Sequence, residues 1–347
     1  MAKGRRVLVT GLGTFWGGRV AQALEAEPDT DVIIGLDTTE PTVELDRTEF
    51  VRTDESYSLL ARIVRAAQID TIVHTFLVVD STQMSPRRIH ETNVIGTMNL
   101  CAAASQDGSR VSRVLVKSST LVYGSTHRDP VWFSEETPRS RPPRNRVERS
   151  LVEVESYVRD YAIDNPHVSV AMLRFSNVLG PDITTPLSKV LHMPLVPAIF
   201  GFDPRFQFVH EDDVVRALMF VLDRELPGTF NVAGDGLLPW SEAVAICGKH
   251  RFYLPPVGTG VAAASLTRLG LPLPPETVDL LTYGRGVDNR RLRDAGFHYE
   301  YTSAGAVESF ARSLRLRNTV GDPEPAYRYE SDVEQFFRHS PAVVRDT

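Results

Sequence analysis

Val7-Leu8-Val9-Thr10-Gly11-Leu12-Gly13-Thr14-Phe15-Trp16-Gly17-Gly18 decides the fold. It reads as a short buried strand, a glycine turn, and a helix that carries Arg19 to Leu24. Such a turn lets backbone N–H groups and a helix N-terminus meet a pyrophosphate. Glycines alone carry little weight, but this set follows a strand, opens a helix and precedes Asp31-Val32-Ile33-Ile34-Gly35-Leu36-Asp37. Asp37 closes that second strand where a carboxylate holds the hydroxyls of an adenosine ribose. Gly11, Gly13, Thr14, Phe15, Trp16 and Gly17 therefore form, with Asp37, a dinucleotide site. The residues after Asp37 are Thr38 and Thr39, with no arginine beside them for a 2′-phosphate, which favours NAD over NADP; Arg19 and Arg47 are the nearest arginines that would reach one.

Further along, apolar strands alternate with amphipathic helices. Glu49–Arg52, Asp70–His74, Val111–Lys117 and Val168–Arg174 read as strands, while Ser58–Gln68, Pro86–Ala104 and a segment ending near Asp164 read as helices. That alternation calls for an α/β fold, a Rossmann-type doubly wound parallel sheet covered on both faces. Residues 1–175 form the cofactor domain. A smaller substrate-binding region covers most of 176–316, pieces near 206–232 return to the main sheet, and 317–347 reads as a loosely packed extension.

Composition narrows the function classes. With 347 residues, 42% of them apolar, the chain buries a large core, and its net charge of −6 gives no attraction to nucleic acid or an anionic membrane. No apolar stretch is long enough to span a bilayer. Two cysteines on helical segments, Cys101 and Cys247, make no disulfide framework, so the expected location is the cytoplasm. His210, Glu211, Asp212 and Asp213 are consecutive, so their side chains diverge and no metal site is expected.

Taken together, these segments resemble the extended short-chain dehydrogenase/reductase family, in its NAD-dependent epimerase/dehydratase branch, from about Arg5 to Leu316. Thr10-Gly11 and Gly17 match that family's Thr-Gly-x-x-Gly-x-x-Gly turn, with Thr14 at the middle glycine. The resemblance implies that Asp54 bonds the adenine and that His74 and Thr75 run along the cofactor. In Ser118-Ser119-Thr120-Leu121-Val122-Tyr123-Gly124 it makes Ser119 the residue that bonds the reacting hydroxyl or carbonyl, with Tyr123 walling the pocket. It also implies a sugar-nucleotide substrate near Asn177, and a homodimer through the helices of Pro86–Ala104 and Val147–Asp164. Phe206 stands where relatives carry a phosphate-gripping arginine, and Arg205 lies one residue earlier.

One part of that family's machinery is missing. Its Tyr-x-x-x-Lys pair has no counterpart: the matching positions fall near Val147 and Leu151, and no lysine occurs between Lys117 and Lys189. Two readings follow. In one, the chain is an oxidoreductase with a displaced acid, Lys117, two residues before Ser119 and on the same strand face; Lys117 paired with a carboxylate at the strand end would instead be structural. In the other, it binds NAD and a ligand as a sensor or scaffold without turnover. Arginines 139, 141, 144, 146 and 149 flank the site, with Arg144 a candidate for gripping an anionic substrate.

Overall fold

The computed structural model describes residues 4–53, 56–256, 273–320, 336–337 and 340–344. Its first half alternates as expected: β1 (Arg5–Thr10), α1 (Phe15–Ala26), β2 (Thr30–Asp37), β3 (Thr48–Arg52), α2 (Tyr57–Ala66) and β4 (Thr71–His74). There follow α3 (Pro86–His90), one π-helical stretch at Glu91–Ile95, α4 (Gly96–Ala104), β5 (Arg113–Ser119) and α5 (Arg146–Asp164). The strands are short apolar runs with little exposure on either face, as burial under helices on both sides demands.

Seven parallel strands form one sheet in the order Gly228–Val232, Ser169–Phe175, β5, β4, β1, β2, β3. The winding reverses between β1 and β4, so the carboxyl ends of those strands open a crevice for a ligand. One core cluster, with Leu8, Ile34, Leu60, Val116, Leu151 and Val158, lies between the sheet and α2, α4 and α5. A second, with Val7, Val9, Leu24, Phe50, Leu173 and Leu218, lies under α1 and the helix Glu211–Asp223.

After Ser176 a third core gathers around Phe206, Phe208, Trp240, Leu281 and Phe310, supported by two short parallel pairings, Asn177–Leu179 with Phe208–His210 and Leu195–Ile199 with His250–Leu254. Glu211–Asp223 and Gly228–Val232 return to the main sheet as its outer helix and edge strand.

The tail departs from the loosely packed extension expected of it. The helix Ser303–Val320 carries on past residue 317, and the described residues beyond it are docked. Phe336 and Ala342 are buried in the first core, the Val344 amide donates to the Ala66 carbonyl at 2.7 Å, and Arg6 donates through Nη2 to the Ala342 carbonyl at 2.6 Å. The apolar residues there gain more by burial on α2 than a free tail keeps in chain entropy.

Candidate functional site

At the carboxyl end of β1, Gly11 turns with φ +77° and Thr14 caps α1. The Thr14 hydroxyl donates to the Gly11 carbonyl at 2.6 Å and accepts from the Gly17 amide at 3.2 Å. The hydroxyl is thus committed to its own turn. In the first turn of a helix the amides lack intrahelical partners, so with Gly17 capped it is the Phe15 and Trp16 amides that face outward as anion donors. A Cβ at Gly17 would sit 2.2 Å from the Gly11 carbonyl oxygen, so only glycine closes the turn this tightly.

Asp37, 2% exposed, accepts from the Gly13 amide at 2.9 Å through Oδ2 and from the Thr39 amide at 3.0 Å through Oδ1. It ties the glycine turn to the loop after β2, and its oxygens keep further lone pairs for a ribose hydroxyl. Of the arginines near Asp37, Arg47 bonds the Leu24 carbonyl, Arg19 pairs with Asp182, and Arg52, opposite Asp37 on β3, pairs with Glu40 at 2.9 Å and reaches the Thr38 carbonyl at 3.5 Å. Beyond Asp37 an open recess beside the π-helical stretch is lined by Thr38, Ser56, Phe76, Arg88, Thr92 and Ile95. Asp54 lies outside the described residues. Taken with the tight glycine turn, this recess fits the adenosine half of a dinucleotide, and the α1 amides fit its pyrophosphate.

His74 does not run along this crevice; its side chain is fully buried in the sheet–helix interface. Thr97 donates its hydroxyl to the Asn93 carbonyl (2.6 Å), so it must accept from His74 Nε2 (3.0 Å), which leaves Nδ1 to accept from the Thr10 hydroxyl at 2.6 Å. Burial, helped by the Lys117 charge, pulls this imidazole down to about 3, and it stays neutral as a strut between β1, β4 and α4. Thr75 likewise bonds the Thr10 carbonyl at 2.7 Å, close against Gly11.

Lys117 and Ser119, both on β5, line one cavity with Trp16, Asn177, Glu276 and Arg285. Lys117 is 3% exposed and meets no carboxylate among the described residues; its amine donates to the Leu77 carbonyl at 2.9 Å and stands 4.7 Å over the Trp16 ring. Burial brings its pKa from 10.5 down to about 7. Ser119 accepts from the Leu121 amide at 3.3 Å, which leaves its own proton free to be donated. Val147 and Leu151, where the tyrosine and lysine of the pair would fall, have no exposure at all and pack into the first core.

Tyr123 is turned away from this cavity. Its hydroxyl donates to Asn231 Oδ1 at 2.8 Å and accepts from Arg174 Nη1 at 2.7 Å, and its ring stacks on Phe133. Arg174 in turn holds Glu155, which accepts from Ser118 at 2.6 Å. This buried network fixes the end of β5, so Tyr123 acts on the site only through the backbone it anchors. Asn177 does reach the cavity, steadied by the Gln207 carbonyl at 2.9 Å. Arg205 faces a second recess with His127, Asp129 and Tyr283, while Phe206 is fully buried. Arg144 is half exposed and lies 3.8 Å from Asp279, off the cavity wall.

The structure adds two residues that the sequence did not flag. Arg285 lies between the two recesses, 7% exposed, donating through Nε to the Gly124 carbonyl at 2.7 Å and without an ion-pair partner among the described residues; burial brings it down to about 10. Glu276, in the first turn of the helix Pro275–Tyr283, is 3% exposed and faces the cavity. Neither sits in a motif. In sequence Glu276 reads as an ordinary acidic residue at a helix start, and only the docking of that helix against the strand Leu195–Ile199 and the Ser81 loop gives it a site. Among the described residues no cluster suits a metal ion, and no helix is long and apolar enough to cross a membrane.

Comparison with known proteins agrees with this geometry. The model of the NAD dependent epimerase/dehydratase family matches residues 7–233. An uncharacterized protein of Mycobacterium tuberculosis is 35% identical, over 93% of this chain and 88% of its own length. In fold the chain is similar to a UDP-glucuronic acid 4-epimerase from Bacillus cereus solved with NAD (TM-score 0.69, 16% identity, 90% of this chain and 99% of that one). It is similar also to DesIV, a dTDP-glucose 4,6-dehydratase from Streptomyces venezuelae (TM-score 0.68, 23% identity, 90% and 98%). A glycine turn clamped by Asp37, a switch-point crevice and a family match over most of the sheet lead to one conclusion: this chain belongs to the NAD dependent epimerase/dehydratase family.

Proposed function

We propose that the protein is an NAD-dependent oxidoreductase of the epimerase/dehydratase kind, acting on a hydroxyl of a nucleotide sugar, with Lys117 in the role of the absent tyrosine. The observation that carries this is the Lys117 amine, 3% exposed, lining one cavity with Ser119 and brought to about 7 by burial. A group poised there exchanges protons at neutral pH, which an unshifted lysine does not.

Bound NAD supplies the hydride acceptor, its nicotinamide C4. The chain's own residues do the rest. Ser119 donates its free proton to the reacting oxygen and fixes its position. Lys117, in its neutral form, takes the hydroxyl proton as the alcohol is oxidised, and returns it when the carbonyl is reduced. Asn177 and the unpaired Arg285 hold the diphosphate, a task suited to a guanidinium with no internal carboxylate. Asp37 and the α1 amides hold the cofactor, and the Asp37 carboxylate, which accepts a ribose hydroxyl and repels a 2′-phosphate, supports NAD rather than NADP. The π-interrupted α3–α4 pair and α5 present the surface through which a homodimer would form.

A second reading, a binding module without turnover, draws on Val147 and Leu151, two aliphatic residues buried where the proton relay would stand. Purified protein with NAD, given UDP- and dTDP-linked sugars, separates the two. Absorbance at 340 nm or an epimerised or dehydrated product seen by NMR supports the enzyme. Binding of the sugars with neither signal supports the module.

A further inference from the structure

Lysine is scarce in this chain: only Lys3, Lys117, Lys189 and Lys249 occur among its 38 basic residues. Of the lysines among the described residues, Lys117 alone is buried and lines the cavity with Ser119; Lys189 is half exposed and pairs with Asp80 at 2.8 Å, and Lys249 does not line it. Much of that cavity wall is apolar, with Phe175, Val178, Leu187 and Leu280, and the Trp16 ring stands 4.7 Å from the Lys117 amine. The charged groups around the amine do not neutralise it. Its one hydrogen bond goes to the Leu77 carbonyl at 2.9 Å, His74 is neutral, burial pushes the Glu276 carboxyl up towards its protonated form, and Arg285 is a second cation. An amine stripped of water with no counter-charge favours its neutral form, a nucleophile where an ordinary ammonium is not. Arg285 spends only Nε, on the Gly124 carbonyl at 2.7 Å, and keeps both terminal nitrogens unbonded among the described residues.

We infer that Lys117 also acts as a nucleophile, forming an imine with the carbonyl carbon of a ligand that carries an anionic group for Arg285. The nitrogen lone pair bonds to the carbonyl carbon, and the π pair moves to the oxygen, to which Ser119 donates a hydrogen bond. A proton passes from nitrogen to that oxygen, giving a neutral carbinolamine. The C–O bond then breaks as the oxygen takes a second proton from solvent and leaves as water, while the nitrogen lone pair closes the C=N bond. Nothing is oxidised or reduced. The protonated imine keeps one N–H for the Leu77 carbonyl, and its charge lies beside the Trp16 ring. This rests on the proposed function only in placing Lys117 and Arg285 in the ligand cavity. The step needs neither NAD nor a nucleotide, and in the nucleotide-sugar reading the carbonyl is the ketone made from the sugar hydroxyl, with the diphosphate on Arg285.

The test is reductive trapping. Full-length protein, with and without NAD, is held at pH 7 with dihydroxyacetone phosphate and sodium cyanoborohydride, which reduces an imine to a stable secondary amine, and the labelled lysines are located by peptide mass spectrometry. Label at Lys117 is expected to exceed that at Lys189 or Lys249 by at least about tenfold, and to lose that excess when the protein is unfolded in urea. Dihydroxyacetone, the same carbonyl without the phosphate, is expected to label Lys117 at least about tenfold less, and Arg285→Gln to bring the two ligands level. Label at Lys117 no higher than at Lys189 and Lys249, or an excess that survives unfolding, overturns the inference; it leaves the proposed function standing, because proton transfer by Lys117 needs no carbon–nitrogen bond. Equal label of Lys117 by the two ligands in the native protein overturns the part given to Arg285. Trapping at Lys117 in a protein that turns over no nucleotide sugar upholds the imine and brings down the nucleotide-sugar reading instead.

Discussion

Replacing Lys117 with methionine should make the protein more stable at neutral pH. The amine titrates near 7 in the fold against an ordinary 10.5. The unfolded chain therefore binds a proton that the native chain sheds across that window, and native stability rises with pH from about 7 towards 10.5. At 1.36 kcal/mol per unit the full interval is worth about 5 kcal/mol, of which about 2 kcal/mol should appear between pH 7 and 9. Methionine has no such proton and fills a similar volume, although it gives up the bond to the Leu77 carbonyl. The difference between the two proteins should therefore be largest at pH 7, in favour of the variant, and shrink by about 2 kcal/mol by pH 9. Subtracting one protein from the other cancels the remaining titrations, including those of Cys101 and Cys247, which burial pushes up to about 12 and about 11. Urea unfolding of both proteins at pH 7, 8 and 9 measures this directly. A variant that is less stable by a constant amount at all three would refute the argument, because Lys117 would then be a charged structural anchor.

Three other outcomes follow from the structure. His74, held at about 3 against an ordinary 6.5, should stay neutral and fail to titrate by NMR down to pH 5. Its proton deficit in the fold should cost about 2 kcal/mol of stability between pH 6.5 and 5, visible as a difference that His74→Gln removes. Tyr123→Phe leaves Asn231 Oδ1 and Arg174 Nη1 each short of a partner, so unfolding should cost about 1–3 kcal/mol less than in the native protein while nucleotide-sugar affinity is unchanged. Gly17→Ala forces a methyl group to within 2.2 Å of the Gly11 carbonyl oxygen. NAD affinity by fluorescence titration should then fall by about tenfold or more, with circular dichroism to separate a local distortion from unfolding.

Much of the fold was legible because it is encoded locally. The β1 turn and the acid ending β2 lie within about thirty residues of one another, and the alternation of apolar runs with helical periods calls for a parallel sheet, although its strand order is seen only in the fold. What was not legible lies in side-chain direction and long-range docking. His74 and Tyr123 occupy segments that border the crevice, yet each turns inward, because strand and turn geometry decides which face a residue takes and a one-residue choice reverses it. Glu276 and Arg285 are held by the Ser81 amide and the Gly124 carbonyl, 195 and 161 residues away in the chain. Their sequence neighbourhood holds no trace of that meeting. The tail from 317 reads as a loosely packed extension because it is mostly polar, and among its described residues Phe336 and Ala342 are buried in the first core, with Phe337 and Val343 packed against it.

The indole of Trp16 sits against both the Lys117 amine and the Phe175 ring, at 4.7 and 4.9 Å. The other two tryptophans are differently lodged, Trp240 sealed in the third core and Trp132 at the surface. The molecule therefore carries an optical gauge at its reacting end. An ammonium group beside an indole shifts and quenches its emission, so the Trp16 signal should follow the protonation of Lys117 through neutral pH without any label. With Trp132→Phe and Trp240→Phe removing the background, one fluorescence curve would report the charge on Lys117 in free and ligand-bound protein alike.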